Sequence, residues 1–370
     1  MDRDHRSLVL PHGRVAVPAF LPDATYGTVR TVDSQDLEGA GVQAVEMNVF
    51  HLMQRPGSTV IRSLGGLHRA FSWERPILTD SGGFQAYSLI RQNPRRGSIT
   101  DRGIVFRPEG TARKVILTPE KSIQLQMSYG GDVVVCLDDC THADAPYETQ
   151  QEAVRRTILW ARRCRETFDA LMANRAEDGP RPLILGVIQG GNERDLRRQC
   201  AEALLEIGFD GYGLGGWPLD SAGNLLTDII GFIRELVPAE YPMHALGVGH
   251  PDHVLTCARM GYTTFDSSLP TRDARRGRLA IMKAEGDAQV PLGTDWWQYL
   301  YIQDERHRRD GRPLSESCDC HTCRHYSRAY LHHLFRVEDG LYDRLATIHN
   351  LRFMTRLMAR IRAEGGPHGG

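Results

Sequence analysis

Eight short apolar runs, each closed by a polar residue or a glycine, constrain this chain more than any other feature. They lie at 18–21, 44–48, 76–79, 133–137, 183–188, 211–214, 244–248 and 263–265. Runs of this length, rich in β-branched residues, suit buried strands. Between most of them the spacing turns helical. Across 148–175, Val154, Ile158, Ala161, Phe168 and Met172 recur on one face, and shorter patterns cover 193–207, 225–236 and 251–260; in the last, Pro251 falls in a first turn, where its missing N–H costs nothing. Alternating strands and helices predict an α/β fold, a (β/α)8 barrel if the sheet closes and a doubly wound sheet if it stays open. The segment 88–117 breaks the rhythm and predicts small antiparallel strands.

The residues that close the runs favour the barrel. They are Asp23, Asn48, Asp80, Asp138, Gln189, the pair Gly215 and Gly216, Gly249 and Asp266. Asp266 is the sharpest case, since Thr263-Thr-Phe reads as a strand and Pro270 forbids its extension. One such aspartate would be read as a cap on the next segment. A whole set reads as the C-terminal rim of a barrel, where side chains that bind and react collect. Glycines among them allow close backbone approach.

After Thr271 the pattern changes. The stretch 288–301 holds Trp296 and Trp297 without a clear period, two amphipathic helices are expected near 326–336 and 338–363, and the glycine-rich tail from Gly365 is expected to be disordered. The predicted division is a barrel over 1–275 and, over 276–370, an insertion, a metal-binding subdomain and C-terminal helices. Three cysteines cluster at Cys318, Cys320 and Cys323, while the other five are scattered through apolar segments. That usage predicts reduced thiols and one metal, not a disulfide framework. Three thiolates suit tetrahedral Zn2+, and a site filled by four protein ligands is structural. The fourth ligand is left among His321, His325, His332, His333 and His349.

With 45 basic and 46 acidic residues the formal net charge is −1, so nucleic-acid binding would have to come from local patches. Two exist: Arg272, Arg275, Arg276 and Arg278, and Arg306, Arg308, Arg309 and Arg312. No apolar run approaches the ~20 residues of a membrane span, and the charged N-terminus does not read as a signal peptide, so a cytoplasmic protein with no membrane partner is expected.

Asp80 and Asp266 are a carboxylate pair suited to a glycosidic bond, one as nucleophile at an anomeric carbon and the other as proton donor and acceptor. Asp138 suits the N1–H and N2–H2 edge of a guanine, Gln189 its O6 or N7, and the backbone N–H groups at Gly215 and Gly216 likewise. Phe84 follows the Asp80-Ser-Gly-Gly turn and can stack on a base. That turn lacks the lysine of a phosphate loop and opens on a carboxylate.

In Asp80-Ser-Gly-Gly-Phe-Gln85, Leu137-Asp-Asp-Cys-Thr141, Val187-Ile-Gln-Gly-Gly191, Gly208-Phe-Asp-Gly-Tyr212 with Gly215-Gly216, Gly247-Val-Gly249, Phe265-Asp266 with Leu269-Pro-Thr-Arg272, and Cys-x-Cys-x-x-Cys with His349-Asn350, the chain resembles the tRNA-guanine transglycosylases. The resemblance spans nearly the whole sequence. It implies a TIM barrel with a C-terminal zinc-binding subdomain, a homodimer, and exchange of guanine at the anticodon wobble position of tRNA for a free 7-deazaguanine base. It also implies roles: Asp266 as nucleophile, Asp80 as general acid/base, Ser81, Asp138, Gln189 and Gly216 on the base, Arg272 and Arg275 on tRNA, and His349 as fourth zinc ligand. Some wording departs from the family. Gly216-Trp-Pro-Leu-Asp-Ser221 replaces the usual leucine and glutamate, leaving the incoming base open. Pro22-Asp-Ala-Thr25 and Asn48-Val-Phe-His51 are altered, Ser267 stands where a cysteine is common, and 273–317 is longer, either to extend an RNA contact or to pack on the rim. A paralogue acting on DNA or another RNA, and a non-catalytic RNA-binding subunit, are the competing readings.

Overall fold

The computed structural model describes residues 7–107, 114–175, 179–285 and 288–365; the tail beyond 365, expected to be disordered, lies outside them. The eight runs form one parallel sheet: β1 Ala19–Pro22, β2 Val45–Asn48, β3 Ile77–Asp80, β4 Val133–Val135, β5 Leu183–Ile188, β6 Gly211–Leu214, β7 Met243–Ala245 and β8 Thr264–Ser267. Their order around the sheet is β1-β8-β7-β6-β5-β4-β3-β2. A parallel bridge between Asp23 and Glu46 joins the end of β1 to β2, and the Ala24 amide donates to the Glu46 carbonyl at 2.7 Å. The sheet is thereby nearly closed into a barrel, and the open-sheet alternative falls away.

Parity decides what lies inside. Ala19 and Leu21, Ala44, Leu78, Val133 and Val135, Leu185 and Val187 form one apolar cluster lining the barrel, and Leu10 and Val15 join it. The last two come from a hairpin, Ser7–Leu10 paired with Gly13–Ala16, that plugs the N-terminal end. Asp132 clamps this floor. Its Oδ1 accepts from the His12 amide and faces His12 Nδ1 at 2.8 Å, and its Oδ2 accepts from the Ile77 amide. His68 stacks on His12 with centroids 3.5 Å apart, placing Nε2 3.2 Å from the other carboxylate oxygen. The backbone donors already engage both oxygens, so this cluster is a structural clasp.

Helices cover the outside, among them Tyr147–Ala173, Arg194–Ile207, Thr227–Leu236 and Pro251–Arg259, close to the ranges their periodicity predicts. Three short strands, Gly97–Thr100, Gly103–Phe106 and Val115–Leu117, form the expected antiparallel sheet. β7 is shorter than its apolar run because Gly247, at φ +73°, turns the chain outward. The aperiodic stretch also resolves: Trp297–Tyr301 pairs antiparallel with Arg278–Met282. Trp296 is fully buried, stacked on Phe353 and donating to Asp252 Oδ1 at 2.9 Å, so this part of the insertion packs. The long helix Gly340–Ala363 contacts β1, the helix Leu269–Arg275 and the strand Arg278–Met282.

Candidate active site and metal cluster

Asp80 ends β3 directly beside Asn48 at the end of β2, and the Asn48 carboxamide donates to Asp80 Oδ2 at 2.5 Å. Asn48 is itself fixed, since its Oδ1 accepts from the Phe50 amide at 2.9 Å. Burial first, and then the negative charge of Asp266, push the Asp80 carboxyl up to about 6. The two aspartates therefore share one mouth of the barrel and act on each other electrostatically. Asp266, half-buried on β8, accepts from the Gly247 amide at 2.9 Å through Oδ1, and His244 Nε2 lies 3.2 Å from the same oxygen. The turn that shortens β7 supplies that amide.

Two further acids face this pair. Glu46 sits two residues before Asn48 on the same face of β2, and Asp23 lies opposite it across the seam. Burial, then the charges of Asp23, Asp266 and Asp80 in that order, raise the Glu46 carboxyl well above its ordinary value. Asp23 is partly engaged in its own turn, accepting from the Thr25 amide at 2.7 Å. Neither acid was singled out as a site residue from sequence, although Asp23 was noted as closing a run.

The residues expected to read a base lie near Asp80, whose charge acts on Asp138. Asp138, in the loop after β4, accepts from the Gln189 carboxamide at 2.5 Å, and burial above all pushes its carboxyl up to about 7. Gln189 Oε1 is buried without a hydrogen-bond partner. It faces Gly216, where a Cβ would stand 3.3 Å from it, and a Cβ on Gly215 would meet Gln189 Nε2 at 2.7 Å. Gly216 also adopts φ +83°, which favours glycine.

Arg197 orients this glycine pair, and no sequence motif marked it. From the helix Arg194–Ile207 its buried guanidinium donates to the carbonyls of Gly191, Ile188 and Gly215 at 2.8, 2.5 and 3.0 Å. A planar peptide whose C=O points at Arg197 turns its N–H, that of Gly216, to the opposite side.

Ser81 is buried beside Asp80, with its hydroxyl accepting from the Gly83 amide at 3.3 Å. Phe84 begins the helix Gly83–Gln92 and stays partly exposed, edge-on to Trp217 at 5.6 Å; His142 flanks Trp217 at the same distance. Trp217, which departs from the family wording, thus forms an aromatic wall with His142 beside Phe84.

Arg272 and Arg275 lie on the helix Leu269–Arg275 that follows β8, Arg272 exposed and Arg275 half-buried with Nη1 unpartnered. Burial, then the neighbouring Arg30, lower the Arg275 pKa. In the second arginine cluster Arg312 donates to Asp310 and Arg306 lies 3.2 Å from Asp304, so these two brace their own loop.

The ligand atoms of Cys318, Cys320, Cys323 and His349 lie within 4.8 Å of one another, a set able to hold a metal ion. Of the histidines left open above, His349 is the one brought to the thiols, with Nδ1 3.3 Å from Cys323 Sγ. Its Nε2 faces the Ala280 carbonyl at 2.9 Å, which places the ring proton there and leaves the Nδ1 lone pair for the metal. His332 Nδ1 instead faces the Ile302 carbonyl. Among the described residues no helix is long and apolar enough to cross a membrane.

Comparison with known proteins gives one consistent result. The family model described as queuine tRNA-ribosyltransferase matches residues 5–364. Similar proteins bearing that name include one from Shewanella halifaxensis, 40% identical over 357 residues, and one from Psychrobacter sp., 38% identical over 356 residues, each alignment covering 96% of this chain and 88% of the relative. A third, from Lysinibacillus sphaericus, is 38% identical over 352 residues, 95% of this chain and 86% of the relative.

Proposed function

The chain belongs to the queuine tRNA-ribosyltransferase family, and from that premise we propose that it is a pentosyltransferase that exchanges a guanine of tRNA, at the anticodon wobble position, for a free 7-deazaguanine base. The observation that carries the reading is the Asp80–Asp266 pair at one barrel mouth, beside a buried Asp138–Gln189 set with an unpaired carboxamide oxygen.

In the proposed course, an Asp266 carboxylate oxygen attacks the ribose anomeric carbon as the bond to guanine breaks. Protonated Asp80 gives its proton to the departing base. The incoming base returns a proton to Asp80, its nitrogen attacks the same carbon, and the ester to Asp266 breaks. Two inversions give net retention. A carboxyl near 6 suits this two-way traffic close to neutrality, because neither form is scarce. Asp138 and Gln189 would read the guanine edge common to both bases, with the Gly216 amide aimed by Arg197 and with Ser81 and Phe84 lining the site.

The Cys3His set has the soft donors and closed count of structural zinc, so Zn2+ would hold the C-terminal segment together and take no part in transfer. Arg272 and Arg275 would contact the RNA backbone. The reading includes a homodimer, which sedimentation velocity tests, and location in the cytoplasm.

Labelled guanine offered with bulk tRNA or with duplex DNA decides the substrate: label should enter tRNA, and entry into DNA alone would transfer the same chemistry to another polynucleotide. Asp266→Asn should abolish the covalent RNA adduct on denaturing gels. A surviving adduct refutes the assignment of the nucleophile, and no label uptake by the wild type into any polynucleotide would favour a binding subunit.

A further inference from the structure

His244 has no part in the scheme above, yet its imidazole lies within the barrel against one of the two central carboxylates. It is 1% exposed on β7, in register with Thr264 of β8. Its Nδ1 is 2.9 Å from the Thr264 hydroxyl and its Nε2 is 3.2 Å from Asp266 Oδ1. Resting on the reading of Asp266 as nucleophile, we propose that His244 is its positioning residue: held by Thr264, it directs an Nε2–H at Oδ1 and leaves Oδ2 turned to the sugar.

The tautomer follows from what surrounds the ring. With the proton on Nδ1, the bare Nε2 lone pair would face a carboxylate oxygen at 3.2 Å in a buried place, an uncompensated repulsion. With the proton on Nε2, the Thr264 hydroxyl donates to Nδ1 and the N–H, which has no other hydrogen-bond partner, faces Asp266 Oδ1 at 3.2 Å. Gly247 donates to the same Oδ1 at 2.9 Å. The Gly247 hydrogen bond and a His244 N–H aimed at the same oxygen would together fix the rotation of the carboxylate and leave the other oxygen as the free attacking atom. Nδ1 is taken by Thr264, Nε2 is turned to Asp266 Oδ1 and the ring is enclosed, so His244 does not touch the substrate; it acts through Asp266, as the orienting group of a catalytic triad acts through its neighbour. The acids that share this face are Glu46, Asp80 and Asp23, with His51 and Arg275 acting on Asp23; Asp80 is held through Oδ2 by Asn48 and Asp266 through Oδ1 by the Gly247 amide.

His244→Phe keeps the buried ring volume and removes the donor, and His244→Gln restores an N–H at the reach of Nε2. Positioning of a nucleophile is worth on the order of 100-fold. Adduct formation by His244→Phe should therefore slow about 100-fold in kcat, with affinities for free base and tRNA within about twofold of wild type, and His244→Gln should recover about a tenth of the rate or more. Independently of turnover, 15N spectra of histidine-labelled protein should show His244 protonated at Nε2, with that resonance moving in Asp266→Asn. A wild-type rate in His244→Phe, or a His244 protonated at Nδ1 alone, overturns the proposal. If the wild type forms no adduct at all, the transfer reading fails, while the spectra still decide whether His244 holds Asp266.

Discussion

Asp138 and Glu46 are both buried acids with raised pKa values, and their consequences run in different directions. On the proposed reading Asp138 must be ionised to accept two N–H groups from a guanine edge, and its carboxyl titrates at about 7 in the free protein. Below that value the base meets a protonated acid. Affinity for guanine should fall up to tenfold per pH unit below about 7 and level off above it. Calorimetric titrations from acid to mildly alkaline pH check this, and Asp138→Asn should bind weakly with a flat profile. Glu46 instead bears on stability. Its folded pKa lies well above the ordinary value near 4.5, so between the two the folded chain binds a proton that the unfolded chain does not, and stability declines as pH rises through that window. Glu46→Gln removes the penalty. It should match wild type in acid and exceed it by about 1–3 kcal/mol at pH 8, read from denaturant melts; equal stability at pH 8 would mean that Glu46 is solvated there. The strand-end aspartates were legible in the sequence because each closes an apolar run. Glu46 and His244 were not, since neither closes its run; for Glu46 the signal was there in period-two parity with Asn48, while the inward turn of His244 shows only in its pairing with Thr264, which shares a strand face with Asp266.

At the scale of elements, the metal cluster and the arginine helix are joined by two adjacent residues. His349 faces the Ala280 carbonyl through Nε2, while the Asn350 side chain accepts from the Ala280 amide at 3.0 Å and donates to the carbonyls of Pro270 and Arg278 at 2.9 and 3.0 Å. Pro270 lies in the helix that carries Arg272 and Arg275, and Arg278 opens the strand beyond it. The cysteine cluster thus fixes, through one helix, the segment expected to meet RNA. Asn350→Ala removes the partner of the buried Ala280 amide and a donor to the carbonyls of Pro270 and Arg278 and should cost about 2–4 kcal/mol. It should also weaken tRNA binding while sparing free-base affinity and metal content, measured by anisotropy, calorimetry and metal analysis. Equal losses for tRNA and base would mean general unfolding instead. Barrel strands and long helices were readable from periodicity because each buries one face against a neighbour. The plugging hairpin was not, since four-residue strands of mixed polarity carry too little pattern. The strand Trp297–Tyr301 escaped for another reason: only Leu300 of its residues is buried, the others being half-buried or exposed, and pairing with Arg278–Met282 defines it.

The whole molecule carries almost no net charge, 45 basic against 46 acidic residues, and its barrel mouth is lined by acids. An RNA drawn to that mouth must be held by a focal patch at the rim, because the summed field offers no attraction. Arg272, Arg275 and Arg30 form such a patch, close enough for Arg30 to lower the pKa of the half-buried Arg275. Cations crowded in this way repel one another in the free protein, and polyanion phosphates would relieve the repulsion. Each phosphate contact contributes about 0.7–0.9 to the slope of log affinity against log salt, depending on whether the RNA is single- or double-stranded there. The double variant Arg272→Gln, Arg275→Gln should therefore lower the slope for tRNA by about 1.4–1.8, lose most affinity at low salt, and converge on wild type as salt rises. On the proposed reading free guanine binds against Asp138 and Gln189, not on this helix, and should bind the double variant as before. Fluorescence titrations of labelled tRNA over a salt series measure the slope directly. An unchanged slope would move the RNA track away from this helix, toward Arg308 and Arg309 of the second cluster.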